Sequence, residues 1–291
     1  MKPLSSGFFF GYERKRENRK DKNVIRKIFR WTGLLLAALY TWLVFPNTKR
    51  TEKMKPFTQT DYAHRGLHAH GVPENSLGAF RRAAAYGYGI EFDVQLSKDG
   101  VPVVFHDDTL ERICQREGIV EELSREELLL PLQSTEEILP TLQEVLLEVG
   151  GRVPLLIELK VTKRKKELVD AVLKELEDYT GPYLIESFDP LVLNIVRKKA
   201  PAVLVGQLSG GLYHEKRSLS RFLADRLLWN AYSRPDFIAY QHRYGRWFLQ
   251  AYHALFRVPI FSYTIDNQRD YHKKSWFTRH IFEGFLPPRG G

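Results

Sequence analysis

From Asp61 onward this 291-residue chain alternates short, almost wholly apolar runs with segments of helical periodicity, and it places charges inside or at the ends of those runs. Runs of this kind are usually strands of a parallel sheet covered on both faces, where an ionised side chain is costly unless a cation or hydrogen bonds compensate it. Yet Glu91 and Asp93 lie within Ile90-Glu91-Phe92-Asp93-Val94, and Glu158 and Lys160 lie within Pro154-Leu155-Leu156-Ile157-Glu158-Leu159-Lys160. His64-Arg65 closes the run before Gly66, and His106 closes Val101-Pro102-Val103-Val104-Phe105. Charges at so many strand ends imply one shared polar pocket.

The order of elements follows from local signals. Asp61 to Arg65 reads as a first strand, and Asn75-Ser76 caps a helix that runs to Tyr86. Gly89 to Gln95 is a second strand; the tight turn Ser97-Lys98-Asp99-Gly100 leads to a third at Val101 to His106. Arg112 to Thr141 is a charged excursion with a short helix near Ser124 to Leu130, followed by a helix from Thr141 to Val149 ended by Gly150-Gly151. Strands are expected at Pro154 to Lys160, Tyr183 to Glu186, Ala202 to Gln207, Asp236 to Tyr240 and Val258 to Thr264. About eight strands separated by helices fit an α/β fold of the (β/α)8 TIM barrel type, occupying residues 59–291.

The net charge of +9 resembles a nucleic-acid signal until it is divided along the chain. Residues 1–60 hold fourteen Lys/Arg against four Asp/Glu, which leaves thirty against thirty-one for the rest. The basic excess therefore belongs to the tail, and no nucleic-acid groove is expected on the body. A single cysteine, Cys114, excludes an internal disulfide or a Cys-rich metal site. Residues 1–30 form a basic tail, and Trp31 to Thr48 runs eighteen residues without a charge. At 1.5 Å per residue this stretch spans roughly 27 Å, near the lower limit for crossing a bilayer. An N-terminal membrane-anchor helix at 31–48 is expected, with 49–58 as a linker. A cleaved signal peptide or a peripheral amphipathic helix are the alternatives. Basic residues upstream outnumber Lys49, Arg50, Lys53 and Lys55 downstream, so the N-terminus is expected in the cytoplasm and the body outside it.

Glu91 and Asp93 are two apart on a strand and point to the same face, as do Glu158 and Lys160. Carboxylates Glu91, Asp93 and Glu158 around one point suit a hard divalent cation, Mg²⁺ or Ca²⁺. His64 and His106 are the expected acid and base, because an imidazole exchanges protons near neutral pH. Arg65 and Lys160 suit a phosphate anion, and Glu74, beside the helix start at Asn75-Ser76, is a further ligand or a supporting partner. His68 and His70 sit in the first loop, where solvated histidines are the plainer reading. Together these residues point to metal-assisted phosphoester hydrolysis.

The motifs Ala63-His64-Arg65-Gly66, Pro73-Glu74-Asn75-Ser76, Glu91-Phe92-Asp93-Val94, Asp99-Gly100 and Val103-Val104-Phe105-His106-Asp107 resemble, in order and spacing, the glycerophosphodiester phosphodiesterase family. Asp108 to Arg112, Pro140-Thr141-Leu142, Ile157-Glu158-Leu159-Lys160 and Glu186-Ser187-Phe188-Asp189-Pro190 extend the likeness, which continues more weakly to Tyr263-Thr264-Ile265-Asp266-Asn267. The resemblance implies a TIM barrel that hydrolyses glycerophosphodiesters to an alcohol and glycerol 3-phosphate. It implies that Glu91, Asp93 and Glu158 hold the cation, that His64 and His106 act as acid and base, and that Arg65 contacts phosphate. A cyclic phosphate formed by a glycerol hydroxyl is the implied intermediate. Tyr263-Thr264 stands where a Trp-Thr pair is usual, which puts Tyr263 at the substrate, and Phe282-Glu283-Gly284-Phe285-Leu286-Pro287-Pro288 replaces the usual Thr-Asp-x-Pro. A lyase that releases a cyclic phosphate from lysolipids, and a surface protein that binds phosphate esters without turnover, are the competing expectations.

Overall fold

A computed structural model describes residues 7–133, 135–210, 219–244, 247–273 and 277–288. Eight parallel strands close into a barrel: β1 (Tyr62–Ala63), β2 (Gly89–Leu96), β4 (Leu155–Leu159), β5 (Tyr183–Ser187), β6 (Val205–Ser209), β7 (Phe237–Gln241), β8 (Ile260–Ile265) and β9 (Arg279–Phe282). Closure is direct, because β1 pairs with β2 on one side and with β9 on the other. This is a TIM barrel.

One strand expected as a stave lies outside it. β3 (Pro102–Val104) pairs antiparallel with β2, Val94 opposite Val104, and forms a hairpin flap on the barrel rather than its third strand. The four-residue turn Ser97–Gly100 is far too short for the crossover that a parallel neighbour needs. The missing eighth stave is β9, whose apolar content is little more than Ile281-Phe282. β6 lies a few residues later than expected, because Ala200 to Val203 is spent in a turn closed by Val203 N–H and Ala200 O at 3.0 Å. The helix expected near Ser124 to Leu130 is a run of turns, and a four-residue helix, Glu111–Cys114, forms instead. This excursion has its own apolar cluster around Val103, Phe105, Leu110 and Leu128.

Alternation of side chains along the strands separates two cores. Ile90, Phe92 and Val94 face outward and pack with Leu155, Ile157 and Leu159 under the helices Leu77–Tyr86, Leu142–Val149 and Lys165–Glu175. Leu156, Leu184, Leu208, Phe237 and Phe261 face inward. Gly206 makes room for this interior, since a Cβ there would fall 2.1 Å from the Phe237 ring. Thr48–Thr58, of which residues 49–58 are expected as a linker, forms 3-10 turns and places Met54 and Phe57 in the same inner cluster beside Tyr62. Tyr62 Oη donates to Phe57 O at 3.0 Å. With apolar side chains filling that end, the polar residues are left at the C-terminal ends of the strands.

The helix caps fall where the sequence marks them. Ser76 accepts from Ala79 N–H at the start of Leu77–Tyr86, and Thr141 with Glu144 forms a reciprocal capping box at the start of Leu142–Val149. Ahead of the barrel, Gly7–Val44 is a 38-residue helix that forms a separate unit. It joins most of the expected basic tail to the expected anchor; residues 1–6 of that tail lie outside the described residues. The helix stops two residues before Pro46, so Phe45 to Thr48 are not part of it. Trp31, Leu35, Leu36 and Trp42 are exposed along it. Among the described residues no single helix is long and apolar enough to cross a membrane; Asn23–Val44 and Thr48–Thr58 reach that length and composition only together.

Candidate active site

At the C-terminal mouth of the barrel, seven of the nine expected residues line one cavity of about 960 Å³: His64, Arg65, Glu91, His106, Glu158, Lys160 and Tyr263. Asp93 lies at the base, touching Lys160, and Glu74 stands behind Arg65 and does not line the cavity.

The register of β2 and β4 builds the acidic centre. Asp93 is paired with Glu158, and Glu91 sits two residues earlier on the same inward face. One oxygen from each of Glu91, Asp93 and Glu158 lies within 4.8 Å of the others, and all three carboxylates are buried. Lys160 Nζ bridges two of them, 3.2 Å from Asp93 Oδ1 and 3.1 Å from Glu158 Oε1. Burial pushes Glu91 well above the ordinary carboxylate range, and the charges of Asp93 and Glu158 push it further. Burial also raises Glu158, partly offset by Lys160. Asp93 goes the other way: burial opposes its charge, but Lys160, His106 and Arg65 outweigh that and hold it well below the usual range. Three hard oxygen donors, whose charge Lys160 and Arg65 offset in part, fit a divalent cation in charge and ligand type.

Arg65 follows β1 and turns into the site in the left-handed region, with φ of 53°. That conformation costs about 1–2 kcal/mol for a residue with a side chain. Two hydrogen bonds hold it there: Arg65 N–H donates to Glu91 Oε2 at 3.0 Å, and Asn75 N–H donates to Arg65 O at 2.9 Å. Asn75 also donates from Nδ2 to Asp93 Oδ2 at 3.0 Å, so a residue legible only as a helix start supports the acidic centre. Gly66 is required next, because a Cβ there would lie 2.8 Å from Ala79 and Phe80 of the following helix.

Each histidine has a carboxylate on the same ring nitrogen. His64 Nδ1 is 2.6 Å from Glu283 Oε2, which leaves Nε2 toward Glu91 at 3.9 Å. His106 Nδ1 is 2.6 Å from Asp107 Oδ1. The hydrogen bond from His64 lowers Glu283 to about 2. Asp107 also falls to about 2; burial opposes this, and hydrogen bonds from Arg112 and His106 prevail. His106 itself is lowered by burial against the pull of Asp93.

Arg112 ties these parts together. It donates to Glu74 Oε2 at 2.7 Å and to Asp107 Oδ2 at 2.6 Å, while Glu74 Oε1 accepts from Arg65 Nη1 at 2.6 Å. Glu74 is therefore occupied as a clamp between two guanidinium groups, which is why it stays out of the cavity. His68 lies 3.6 Å from Glu283, and His70 is exposed. Tyr263 donates from Oη to Ser209 O at 2.9 Å and meets Phe188 edge-on, with ring centroids 6.2 Å apart. With Leu208, Tyr244 and Ile281 these rings give the cavity an apolar share of its lining, to which Val161, next to Lys160, adds.

Glu283, Asp107, Arg112 and Glu186 were not singled out from sequence as site residues. Asp107 and Arg112 fall within the quoted motifs, and Glu186 carries a charge at the end of an apolar run, the signal that exposes Glu91. Glu283 falls in the quoted segment Phe282 to Pro288, which the sequence marks only as a departure from the family pattern.

The family model of glycerophosphoryl diester phosphodiesterases matches residues 64–279. Over 162 residues the chain is 35% identical to a glycerophosphodiester phosphodiesterase of Caldanaerobacter subterraneus, covering 50% of this chain and 65% of that protein. Over 207 residues it is 30% identical to glycerophosphodiester phosphodiesterase 1 of Bos taurus, covering 66% and 60%. The chain thus spans less than two thirds of either relative. Among solved structures, a phosphodiesterase of Oleispira antarctica in complex with the product sn-glycerol-3-phosphate superposes with a TM-score of 0.64 at 22% identity, over 78% of this chain and 93% of that one. A glycerophosphodiester phosphodiesterase of Thermotoga maritima superposes at 0.60 with 27% identity, over 77% and 94%.

Proposed function

Since the chain belongs to the glycerophosphoryl diester phosphodiesterase family, we propose that it hydrolyses glycerophosphodiesters to an alcohol and glycerol 3-phosphate. The observation that carries this reading is the meeting of Glu91, Asp93 and Glu158 within 4.8 Å in a cavity that two carboxylate-held histidines also line. The three acids would hold one divalent cation, Mg²⁺ or Ca²⁺, whose charge offsets that of the phosphoryl oxygens. Arg65, fixed by Glu74, presents its remaining donors to the phosphate, and Lys160 adds a point charge beside it. Glu283 and Asp107 hold Nδ1 of the two rings, which leaves Nε2 of each free to carry a proton. One imidazole removes the proton from the attacking hydroxyl or water, and the other gives a proton to the leaving oxygen.

Coupled detection of glycerol 3-phosphate released from a panel of glycerophosphodiesters tests this. Release from one or more members is expected; no release from any, with cation present, overturns the reading. The apolar share of the lining, with Val161, Phe188, Leu208 and Tyr263, supports a second reading, a lyase that releases a cyclic phosphate from lysolipids. Phosphorus NMR separates the two by product.

The exposed apolar residues of Gly7–Val44 support a membrane tether upstream of the enzyme, with its basic start in the cytoplasm and the barrel outside. A C-terminal reporter enzyme active only outside the membrane should be active; silence there reverses the orientation.

A further inference from the structure

Glu186 is a strand carboxylate of the barrel mouth besides Glu91, Asp93 and Glu158, and nothing in the hydrolytic scheme uses it. Its strand neighbour across the β4–β5 pairing is Glu158, so it stands on the inward face at the same level as the cation ligands. It lines the same cavity, and only 1% of its surface is exposed. Its Oε2 is buried without a hydrogen-bond partner among the described residues, as is Oε1 of Gln241, which lines the cavity too. A buried polar oxygen left unpaired costs about 1–3 kcal/mol, so a carboxylate kept at this position on the wall of an open cavity calls for a role beyond packing.

Position says which role. Going round the barrel, β1, β2 and β4 present His64, Arg65, the three acids and Lys160, while β6 to β9 present Leu208, Gln241, Tyr263 and Ile281, mostly apolar. Glu186 on β5 stands between these halves, next to the phosphate-binding side. A diester held by Arg65 and Lys160 brings the groups on its first two or three carbons to that boundary. On a glycerol ester those carbons carry free hydroxyls, each a neutral donor that a carboxylate oxygen can accept.

We propose that Glu186 accepts a hydrogen bond from a free glycerol hydroxyl of the substrate and so selects glycerol-bearing phosphodiesters over diesters that lack the hydroxyl. This rests on the glycerophosphodiester reading above. It adds a specificity residue outside the cation and proton-transfer sets. A site made to bond a substrate hydroxyl rejects the analogue without it strongly, because its own acceptor is then left unpaired.

The test compares kcat/KM for glycerophosphoethanolamine with that for bis(p-nitrophenyl) phosphate, on the full chain with saturating Mg²⁺. Wild type is set against Glu186→Met and Glu186→Gln, with melting curves as the folding control. The preference ratio should fall by about 10- to 100-fold in Glu186→Met and by much less in Glu186→Gln, whose amide oxygen still accepts. A ratio within twofold of wild type in folded Glu186→Met overturns the proposal. Equal losses on both substrates, with a higher Mg²⁺ requirement, overturn it in favour of a cation ligand. Wild type that cleaves the aryl diester yet releases no glycerol phosphate overturns the parent reading together with this one, whereas an active wild type with an unchanged ratio overturns this one alone.

Discussion

Glu283, in the loop after the last barrel strand, holds Nδ1 of His64 at 2.6 Å, so the two ends of the closed sheet meet in one imidazole–carboxylate pair. The pair fixes which nitrogen of His64 faces the cavity. If that is its role, Glu283→Gln should lower kcat by roughly 10- to 100-fold with little change in KM, because a misdirected ring impairs proton transfer more than binding. Glu283→Asp should restore part of the loss. Equal changes in KM and kcat for Glu283→Gln, without rescue by Asp, would reduce Glu283 to a structural partner.

The histidines themselves should matter more. His64→Ala and His106→Ala are each expected to lower turnover by about 10² to 10⁴ while leaving the melting temperature near that of wild type. A His106 variant that keeps more than half of wild-type kcat removes that residue from the reaction.

Arg112 is not among the described residues that line the cavity, yet it braces both Glu74 and Asp107. Replacing it with Met keeps an unbranched stem and removes five donors. Arg65 then loses a fixed partner and His106 loses a fixed carboxylate, so KM should rise and kcat fall together, each several-fold. Steady-state kinetics that match wild type would show that the brace is dispensable.

Cation dependence follows from the acidic centre. A chelator should abolish hydrolysis, and added Mg²⁺ or Ca²⁺ should restore it; full activity in chelator excludes the cation. Glu91→Gln should raise the cation concentration needed for half-maximal rate by at least tenfold, since one of three charged ligands is gone. An unchanged requirement would remove Glu91 from the ligand set.

Much of this site is legible in sequence because burial punishes charge. Glu91, Asp93, Glu158 and Lys160 stand out against Ile90, Phe92, Leu156 and Ile157, and only a compensated site makes such a pattern tolerable. The same logic marks Glu186. β9 was not legible, because two apolar residues give no period to read, and with it went Glu283, 219 positions from the histidine it holds. Pairing across the seam of a barrel is set by closure, which no local pattern encodes. The β3 hairpin failed for a different reason: its apolar run looks like any stave, and only the length of the preceding turn shows that it must run antiparallel.

Acidification gives a prediction with a definite sign. Glu283 and Asp107 are both lowered to about 2 in the folded chain, against ordinary values of 4.5 and 3.8. A carboxylate whose folded value is depressed contributes stability that is complete above its unfolded value and is lost as pH falls through the folded one. The melting temperature of wild type should therefore drop between about pH 4.5 and pH 2. Glu283→Gln removes one titrating group, so its curve should start lower at neutral pH and fall less over that interval. Partial exposure of Glu283, at 37% of its side chain, screens the pair, and the difference between the two curves should be a few degrees rather than tens. Parallel melting curves for wild type and Glu283→Gln from pH 5 to pH 2 would show that the His64–Glu283 contact adds nothing to folding, whatever it does for the ring.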